Sequence, residues 1–183
     1  MNPQSPTFII IGLGVSGLVS ARYCLKNNYN VIILEKNKQL GGTWYNKTYP
    51  DVRLQTTRKS YAFSDFPYKK GVSLYPTGKE VLDYLEEYAR TYHILKYTRF
   101  NSKVTKTTFD YKTRRWNIQY TQGDTLLEIS GDYMLIASGF YQDFIHTDMI
   151  PDEIANSPNI LTVRDFNQKN IDYGHFKNKR ICQ

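Results

Sequence analysis

Cysteine and long hydrophobic runs are both scarce in this chain of 183 residues. Its two cysteines, Cys24 and Cys182, are too few for a disulfide framework or a four-cysteine zinc site. No apolar run approaches the ~20 residues of a membrane-spanning helix, and the first residues lack the basic and apolar regions of a secretory signal. We therefore expect a soluble, cytoplasmic protein without a membrane span.

Histidine is also sparse, whereas positive charge is in excess. The histidines, His93, His146 and His175, lack the spacing of metal ligands, so we predict no metal site. The 24 lysines and arginines outnumber the 17 acidic residues, which gives a net charge of +7. Because the basic residues are spread along the chain, they favour a solvated surface, and we expect no nucleic-acid partner. A basic surface also suits a phosphate-bearing cofactor.

The start of the sequence predicts a β-α-β unit. Residues 7–12 form a short, apolar, β-branched run that is typical of a buried parallel strand. Residues 15–27 carry apolar side chains at helical spacing. Residues 31–34 are a second apolar strand, which ends at Glu35. A tight glycine turn joins the first strand to the helix.

Gly12, Gly14 and Gly17 in that turn have the spacing G-x-G-x-x-G of a dinucleotide-binding motif. The first glycine permits the tight turn, the second lets the backbone approach a pyrophosphate, and the third lets helix and strand pack closely. The N–H groups at the start of the helix face the phosphates, and Ser16 can add a hydroxyl donor. Glu35 follows the glycine motif at close to the distance of ~20 residues at which a carboxylate binds the ribose hydroxyls. A glutamate there favours FAD or NAD over NADP.

The rest of the chain predicts a further helix and a β-meander. Residues 36–76 are irregular, and such a long stretch typically has a function or wraps a ligand. Thr77 and Glu80 have the spacing of a capping box at the start of a helix that runs to about Tyr92. Short alternating strands follow. We predict an α/β fold, a Rossmann-like FAD-binding domain with a parallel sheet and an antiparallel β-meander.

A second glycine pair, Gly41 and Gly42, precedes Thr43 and Trp44. The glycines allow close backbone approach, the threonine offers a hydroxyl, and the tryptophan offers a flat apolar wall. A flavin, with its large flat ring system, needs such a wall more than a nicotinamide cofactor does. The alternative is a loop glycine pair beside a core tryptophan.

Together these motifs resemble the flavin-containing monooxygenases. The segments that carry the resemblance are residues 12–17, 35, 41–44, 63–67 and 137–139. Residues 54–67 and 81–89 are most similar to the plant-type branch, and the likeness runs over about residues 7–182. The resemblance implies that NADPH reduces FAD, that the reduced flavin and dioxygen give a C4a-hydroperoxide, and that this species oxygenates a soft nitrogen or sulfur nucleophile.

The resemblance also implies a set of cofactor-binding residues. These are Gly12, Gly14, Val15, Ser16, Gly17, Glu35, Lys36, Gly42, Thr43, Trp44, Gln55, Val104, Ser138 and Gly139. Among them, Glu35 would bind the adenosine ribose and Val104 would contact the adenine through its backbone. Gln55 stands where many members have an asparagine near the flavin, and it is a candidate flavin neighbour. No catalytic residue is assigned, and the substrate is an unknown small molecule.

The resemblance divides the chain into the first segment of an FAD-binding domain, 1–150, and a linker, 151–183, toward an NADPH-binding domain that is missing here. A family signature expected near residues 156–163 is poorly matched. We therefore expect an incomplete domain, and a separate chain could supply the rest. Two alternatives stay open: a truncated, catalytically inactive FAD-binding or remnant protein, and a fragment of a Baeyer–Villiger-type flavoprotein.

Overall fold

Two sheets, one parallel and one antiparallel, carry the fold. The computed structural model describes residues 5–49 and 51–140. Its strands are β1 (Thr7–Ile11), β2 (Asn30–Leu34), β3 (Thr98–Arg99), β4 (Ser102–Asp110), β5 (Arg115–Gln122), β6 (Thr125–Gly131) and β7 (Tyr133–Ile136). Its helices are α1 (Val15–Lys26), α2 (Thr43–Asn46), α3 (Arg58–Tyr61) and α4 (Gly78–Thr91), with a 3-10 helix at Ile94–Tyr97.

The parallel sheet has the strand order β3-β2-β1-β7, and the antiparallel sheet has the order β4-β5-β6. β1 pairs in parallel with both of its neighbours, so that Ile10 lies opposite Ile33 on one side and Leu135 on the other. Helix α1 provides the crossover from β1 to β2, as parallel pairing requires. The predicted α/β fold, with its parallel sheet and antiparallel meander, is confirmed.

Side chains on the two faces of the parallel sheet enter two different cores. Ile10 and Ile33 are fully buried against α1 and α4. Ile32 and Leu34 point to the other face, where they pack against Ile118 of the meander. This follows from the period of two in a strand, and it explains why β1 and β2 are apolar at every position after their first residues, Thr7 and Asn30: both of their faces are covered.

Helix α4 begins at the capping box that the sequence predicts. The Thr77 hydroxyl accepts from the Glu80 backbone N–H, and the Glu80 carboxylate accepts from the Thr77 backbone N–H. The irregular segment before it packs on α4 through aromatic rings: Tyr68 stacks on Tyr84 at 3.9 Å, and Phe63 contacts Tyr88 at 4.3 Å between ring centroids. The irregular segment is therefore fixed by the helix that follows it.

Several predictions fall on residues outside the described ranges. These are the linker at 151–183, the poorly matched signature at 156–163, Cys182, His146 and His175. Cys24 lies in the described part and is a buried core residue of α1. None of the helices within residues 5–49 and 51–140 is long and apolar enough to cross a membrane.

Candidate functional site

A cavity of about 460 Å³ opens where the strands of the parallel sheet end. Its walls include Ile11 and Leu34, the last residues of β1 and β2, and Ala137, which directly follows β7. The carboxyl ends of parallel strands are where nucleotide-binding α/β folds hold their ligands. The cavity is therefore the candidate site.

Most of the predicted cofactor-binding residues line this cavity. They are Gly12, Gly14, Val15, Ser16, Glu35, Lys36, Gly42, Thr43, Trp44, Val104, Ser138 and Gly139. Two predicted residues, Gly17 and Gln55, do not line it. The sequence prediction missed lining residues that include Asn37, Lys47, Tyr61 and Lys103.

The three glycines of the first turn have different structural roles. Gly12 has a φ of +99°, and a Cβ there would lie 2.4 Å from the Ala137 carbonyl oxygen. A Cβ on Gly17 would lie 2.1 Å from the carbonyl oxygen of Gly12, so this residue acts by close packing behind the cavity. A Cβ on Gly14 would find only the Gly42 backbone, at 3.5 Å or beyond. Gly14 is thus the glycine that keeps cavity space open.

The start of helix α1 is suited to binding an anion. Its N-cap residue is Gly14, which provides no side-chain hydrogen bond to the first turn, and that turn contains no acidic residue. The first N–H groups of a helix have no partner within the helix, and they carry the positive end of the helix dipole. With Val15 and Ser16 lining the cavity beside them, these groups suit a phosphate.

Glu35 directly follows β2, and it is buried, with an exposed fraction of 3%. One carboxylate oxygen accepts from the Leu13 backbone N–H at 2.7 Å, and the other accepts from the backbone and side-chain amide of Asn37 at 2.8 and 2.9 Å. A carboxylate has about four acceptor positions, so room for a further donor is left. Glu35 therefore braces the glycine turn in addition to facing the cavity, and the sequence spacing alone did not reveal this bracing.

Backbone hydrogen bonds bring distant segments to the cavity. The Gly41 N–H donates to the Leu13 carbonyl at 2.9 Å, which fixes the second glycine pair beside the first turn. The Ser102 N–H donates to the Glu35 carbonyl at 2.8 Å, which fixes the start of β4 beside the end of β2. This second bond explains why Val104 reaches the cavity from the antiparallel sheet.

The cavity lining is cationic. It includes Lys36, Lys47 and Lys103, whereas Glu35 is the acidic residue of the described lining. A cleft whose lining carries charge of one sign raises the local concentration of ligands that carry the opposite charge. A ligand with two phosphate charges fits this balance. Of these lysines, the sequence prediction included only Lys36, because the other two enter through tertiary contacts.

Trp44 and Tyr61 form one wall of the cavity. The Trp44 indole N–H donates to the Tyr61 hydroxyl oxygen at 2.9 Å, and the rings meet edge to face with centroids 5.8 Å apart. The two residues lie 17 positions apart, on the short helices α2 and α3. No local pattern pointed to Tyr61, because it lies in the irregular stretch.

Gln55 does not line the cavity, and the local pairing of its segment explains its exposure. The Leu54 N–H donates to the Pro76 carbonyl at 2.8 Å, and Arg53 bridges to Thr77 in antiparallel fashion. This pairing directs the Leu54 side chain into the core, at 7% exposure. Its neighbour Gln55 is consequently exposed to solvent. The structure does not bring Gln55 together with the other predicted residues.

Known proteins are similar to this chain in sequence. The family model described as flavin-binding monooxygenase-like matches residues 6–182. An Arabidopsis thaliana protein that bears the name flavin-containing monooxygenase 2 is 31% identical, covering 95% of this chain. The chain spans only 41% of the length of that relative.

Solved structures share the fold of the described part. S-allyl-L-cysteine S-oxygenase from Allium sativum superposes with a TM-score of 0.70 at 23% identity, over 74% of this chain and 36% of that one. OTEMO in complex with FAD and NADP gives a TM-score of 0.65 at 26% identity, over 74% of this chain and 26% of that one. The family match covers nearly the whole chain, and the chain therefore belongs to the flavin-binding monooxygenase-like family.

Proposed function

We propose that this chain is the FAD-binding part of an NADPH-dependent flavin monooxygenase that oxygenates soft nitrogen or sulfur nucleophiles. One observation carries the proposal. The open space above Gly14, the uncapped start of α1 and the Glu35 carboxylate all face the same cavity at the ends of β1 and β2. The space above Gly14 would let a pyrophosphate come close, the start of α1 would balance its charge, and Glu35 would bind the adenosine ribose.

The residues present fit FAD along the cavity. The N–H groups at the start of α1 would bind the pyrophosphate, and the approach over Gly14 would let it come close. Glu35 would accept from the ribose hydroxyls with its remaining acceptor position. Trp44 would lie beside the flavin ring, because its flat indole lines the cavity. Oxygen activation is the chemistry that FAD supplies when bound, and the protein supplies binding, orientation and shielding.

The NADPH requirement and the nitrogen or sulfur substrate are proposals for the whole protein, of which this chain matches a part. They are supported by the family match and by the likeness to a plant relative. The garlic protein of the same fold is named as an S-oxygenase, which agrees with a sulfur substrate. Measuring NADPH consumption with sulfide, amine and ketone substrates in a complete protein tests this choice. An ester product from a ketone would instead support the Baeyer–Villiger-type alternative.

The exposed edge of the parallel sheet is the basis for proposing a further segment outside the described residues. β7 is the last strand of this sheet in the described part. Two of its side chains, Tyr133 and Ile136, are 53% and 71% exposed. Apolar edge strands with free backbone groups pair readily with another strand. We propose that the rest of the protein, in the same chain or in a separate one, covers this edge.

The experiment for FAD binding is a visible absorption spectrum of the chain after incubation with excess FAD and desalting. Near one FAD per chain would support the proposal and would show that this chain binds the cofactor by itself. NADPH should not be retained in its place, since Glu35 disfavours a 2′-phosphate, and NAD should bind more weakly than FAD, since the flat wall at Trp44 suits a flavin more than a nicotinamide. Complete loss of flavin on desalting, together with no change in flavin fluorescence on titration, would refute FAD binding by this chain and favour the remnant alternative.

A further inference from the structure

We propose that Tyr61 is a positioning residue that fixes Trp44 at the wall of the cavity where the flavin ring binds. The inference rests on the proposed function, since it assigns a task within the same site. It concerns a residue outside the predicted set of cofactor-binding residues, and the hydrogen bond between the two side chains carries it.

Trp44 needs support that its own helix cannot supply. Helix α2 has only four residues, and its N-cap residue, Gly42, has a φ of 56°. A helix this short has few internal hydrogen bonds to hold a large side chain in place. The indole ring is only partly buried, packed at the margin of the main core. Its orientation must therefore come from a contact outside α2.

Tyr61 supplies that contact through both parts of its side chain. Its hydroxyl oxygen accepts the indole N–H at 2.9 Å, and its ring meets the indole edge to face at an interplanar angle of 81°. Edge-to-face pairs and hydrogen bonds both restrict orientation. Tyr61 is the last residue of α3, so the hydrogen bond links α2 directly to α3.

Tyr61 is itself held in place by the main core. Its side chain is partly buried and packs on the same core cluster as Trp44 and Phe63. Two residues further on, the Phe63 backbone N–H donates to the Tyr84 hydroxyl at 2.7 Å, which anchors this segment to helix α4. The orientation of Trp44 is thus transmitted from a long helix through Tyr61 to the cavity wall.

A direct contact between Tyr61 and a ligand is the competing explanation. The Tyr61 hydroxyl accepts from Trp44 but donates to no acceptor within the part of the chain that the structure describes. Its hydrogen could therefore reach a ligand in the cavity. The tests must separate an effect through Trp44 from an effect of Tyr61 itself.

The first test needs no cofactor. In a ¹⁵N-labelled chain the two tryptophans, Trp44 and Trp116, give two indole N–H signals, and Trp116→Phe identifies which belongs to Trp44. We expect Tyr61→Phe to move the Trp44 indole proton upfield, because the acceptor is lost while the ring is kept. Tyr49→Phe is the matched control, since Tyr49 is 48% exposed and lies outside the cavity lining. An unchanged Trp44 signal in Tyr61→Phe would overturn the proposal, whether or not FAD binds.

The second test is a double-mutant cycle on FAD affinity. We expect Tyr61→Phe to raise the FAD Kd about two- to twelvefold, which corresponds to the net contribution of one neutral hydrogen bond. In a Trp44→Phe background the same substitution should leave the Kd unchanged, because the group that Tyr61 orients is already absent. An equal effect in both backgrounds would show that Tyr61 acts directly and would overturn the positioning role.

The two failures are distinguishable. If the unsubstituted chain binds no FAD, the proposed function fails, and the indole signal still reports whether Tyr61 holds Trp44. If the unsubstituted chain binds FAD but Tyr61→Phe changes neither the indole signal nor the Kd, the proposed function stands and the role of Tyr61 fails.

Discussion

Glycine residues of one motif have different physical reasons for being glycine. Gly12 and Gly17 lie where a Cβ would meet backbone oxygen at 2.4 and 2.1 Å. A flexible side chain could move aside, but backbone cannot. Gly14 has no such neighbour, and its φ of −85° is one that any residue adopts. The motif therefore combines two residues required by the fold with one required by a ligand.

This difference predicts opposite outcomes for alanine substitutions. Gly14→Ala should leave the melting temperature nearly unchanged while the FAD Kd rises tenfold or more, a loss of about 1.4 kcal/mol or greater. Gly17→Ala should lower stability by about 1–3 kcal/mol, as overpacking does. Thermal unfolding and flavin titration of both variants measure the two effects. A Gly14→Ala variant that keeps full FAD affinity would contradict the placement of the pyrophosphate.

Glu35 combines a structural and a ligand-facing role at one carboxylate. Glu35→Ala should cost about 1–3 kcal/mol of unfolding free energy, because the buried Leu13 N–H loses its acceptor. Glu35→Gln keeps one oxygen that can accept this N–H, so its loss should be smaller. Urea unfolding of the two variants gives the order, and amide hydrogen exchange at Leu13 reports the local opening. Equal stability of all three proteins would show that the hydrogen bond contributes nothing.

At the scale of elements, the start of α4 contributes to the stability of the folded state, and this contribution depends on pH. Hydrogen bonds from the backbone N–H groups of Thr77 and Ser73 lower the pKa of the Glu80 carboxyl to about 2, from its usual 4.5. A carboxyl with a lowered pKa stabilises the folded state when it is ionised. Its contribution is complete above about pH 4.5 and is lost as the pH falls toward 2.

Glu80→Gln should therefore be less stable than the unsubstituted chain at pH 7, and the difference should shrink as the pH falls from 4.5 toward 2. Denaturant unfolding at a series of pH values measures this difference. As a comparison, Thr77→Ala removes the capping hydroxyl and should cost about 1 kcal/mol at pH 7. A difference between Glu80→Gln and the unsubstituted chain that does not change with pH would argue against the ionised carboxylate as the source.

The elements also differ in how far their own residues determine them. β1, α1, β2 and α4 were predicted to within a few residues, because strand alternation, helical spacing and capping act over neighbouring positions. Helices α2 and α3 were not predicted, since each has four residues and no apolar period. Helix α2 packs on α4, and the Tyr61–Trp44 hydrogen bond joins α3 to α2, so both depend on contacts that no short window of sequence contains.

At the scale of the whole molecule, one of the two cores lies between the two sheets and joins them. Ile118 of the meander is fully buried against Ile32 and Leu34 of the parallel sheet. Arg115 adds a polar link, because its guanidinium donates to Asp132 at 2.8 Å while the same carboxylate accepts the Thr7 backbone N–H at 2.7 Å. The antiparallel sheet thereby holds Val104 and Lys103 against the cavity.

Ile118→Ala should consequently destabilise the whole described fold by about 2–5 kcal/mol, as cavity formation in a core does. We also expect weaker FAD binding, since the wall carried by β4 depends on this packing. Leu126→Ala is the matched control, because Leu126 lies in the same meander but is 61% exposed, and its effect should be within about 0.5 kcal/mol. Chemical unfolding followed by circular dichroism measures both. Separate transitions for the two sheets would show that they do not form one cooperative unit.

The resemblance to flavin-containing monooxygenases is confirmed by the family match. The division at residue 150 stays a prediction, because the described residues end at 140. NADPH use and the substrate class are likewise proposals for the whole protein, since the chain spans less than half of the relatives compared.

The sequence by itself determined the features that depend on near neighbours: the turn at Gly12, the strand that ends just before Glu35, the capping box at Thr77 and the α/β class. Only the tertiary structure decided which distant residues meet at the cavity. It brought Tyr61 to Trp44 and Lys103 to the end of β2, and it turned Gln55 toward solvent. Local preferences arise from backbone angles and hydrogen bonds within a few residues, whereas these meetings depend on how whole elements pack.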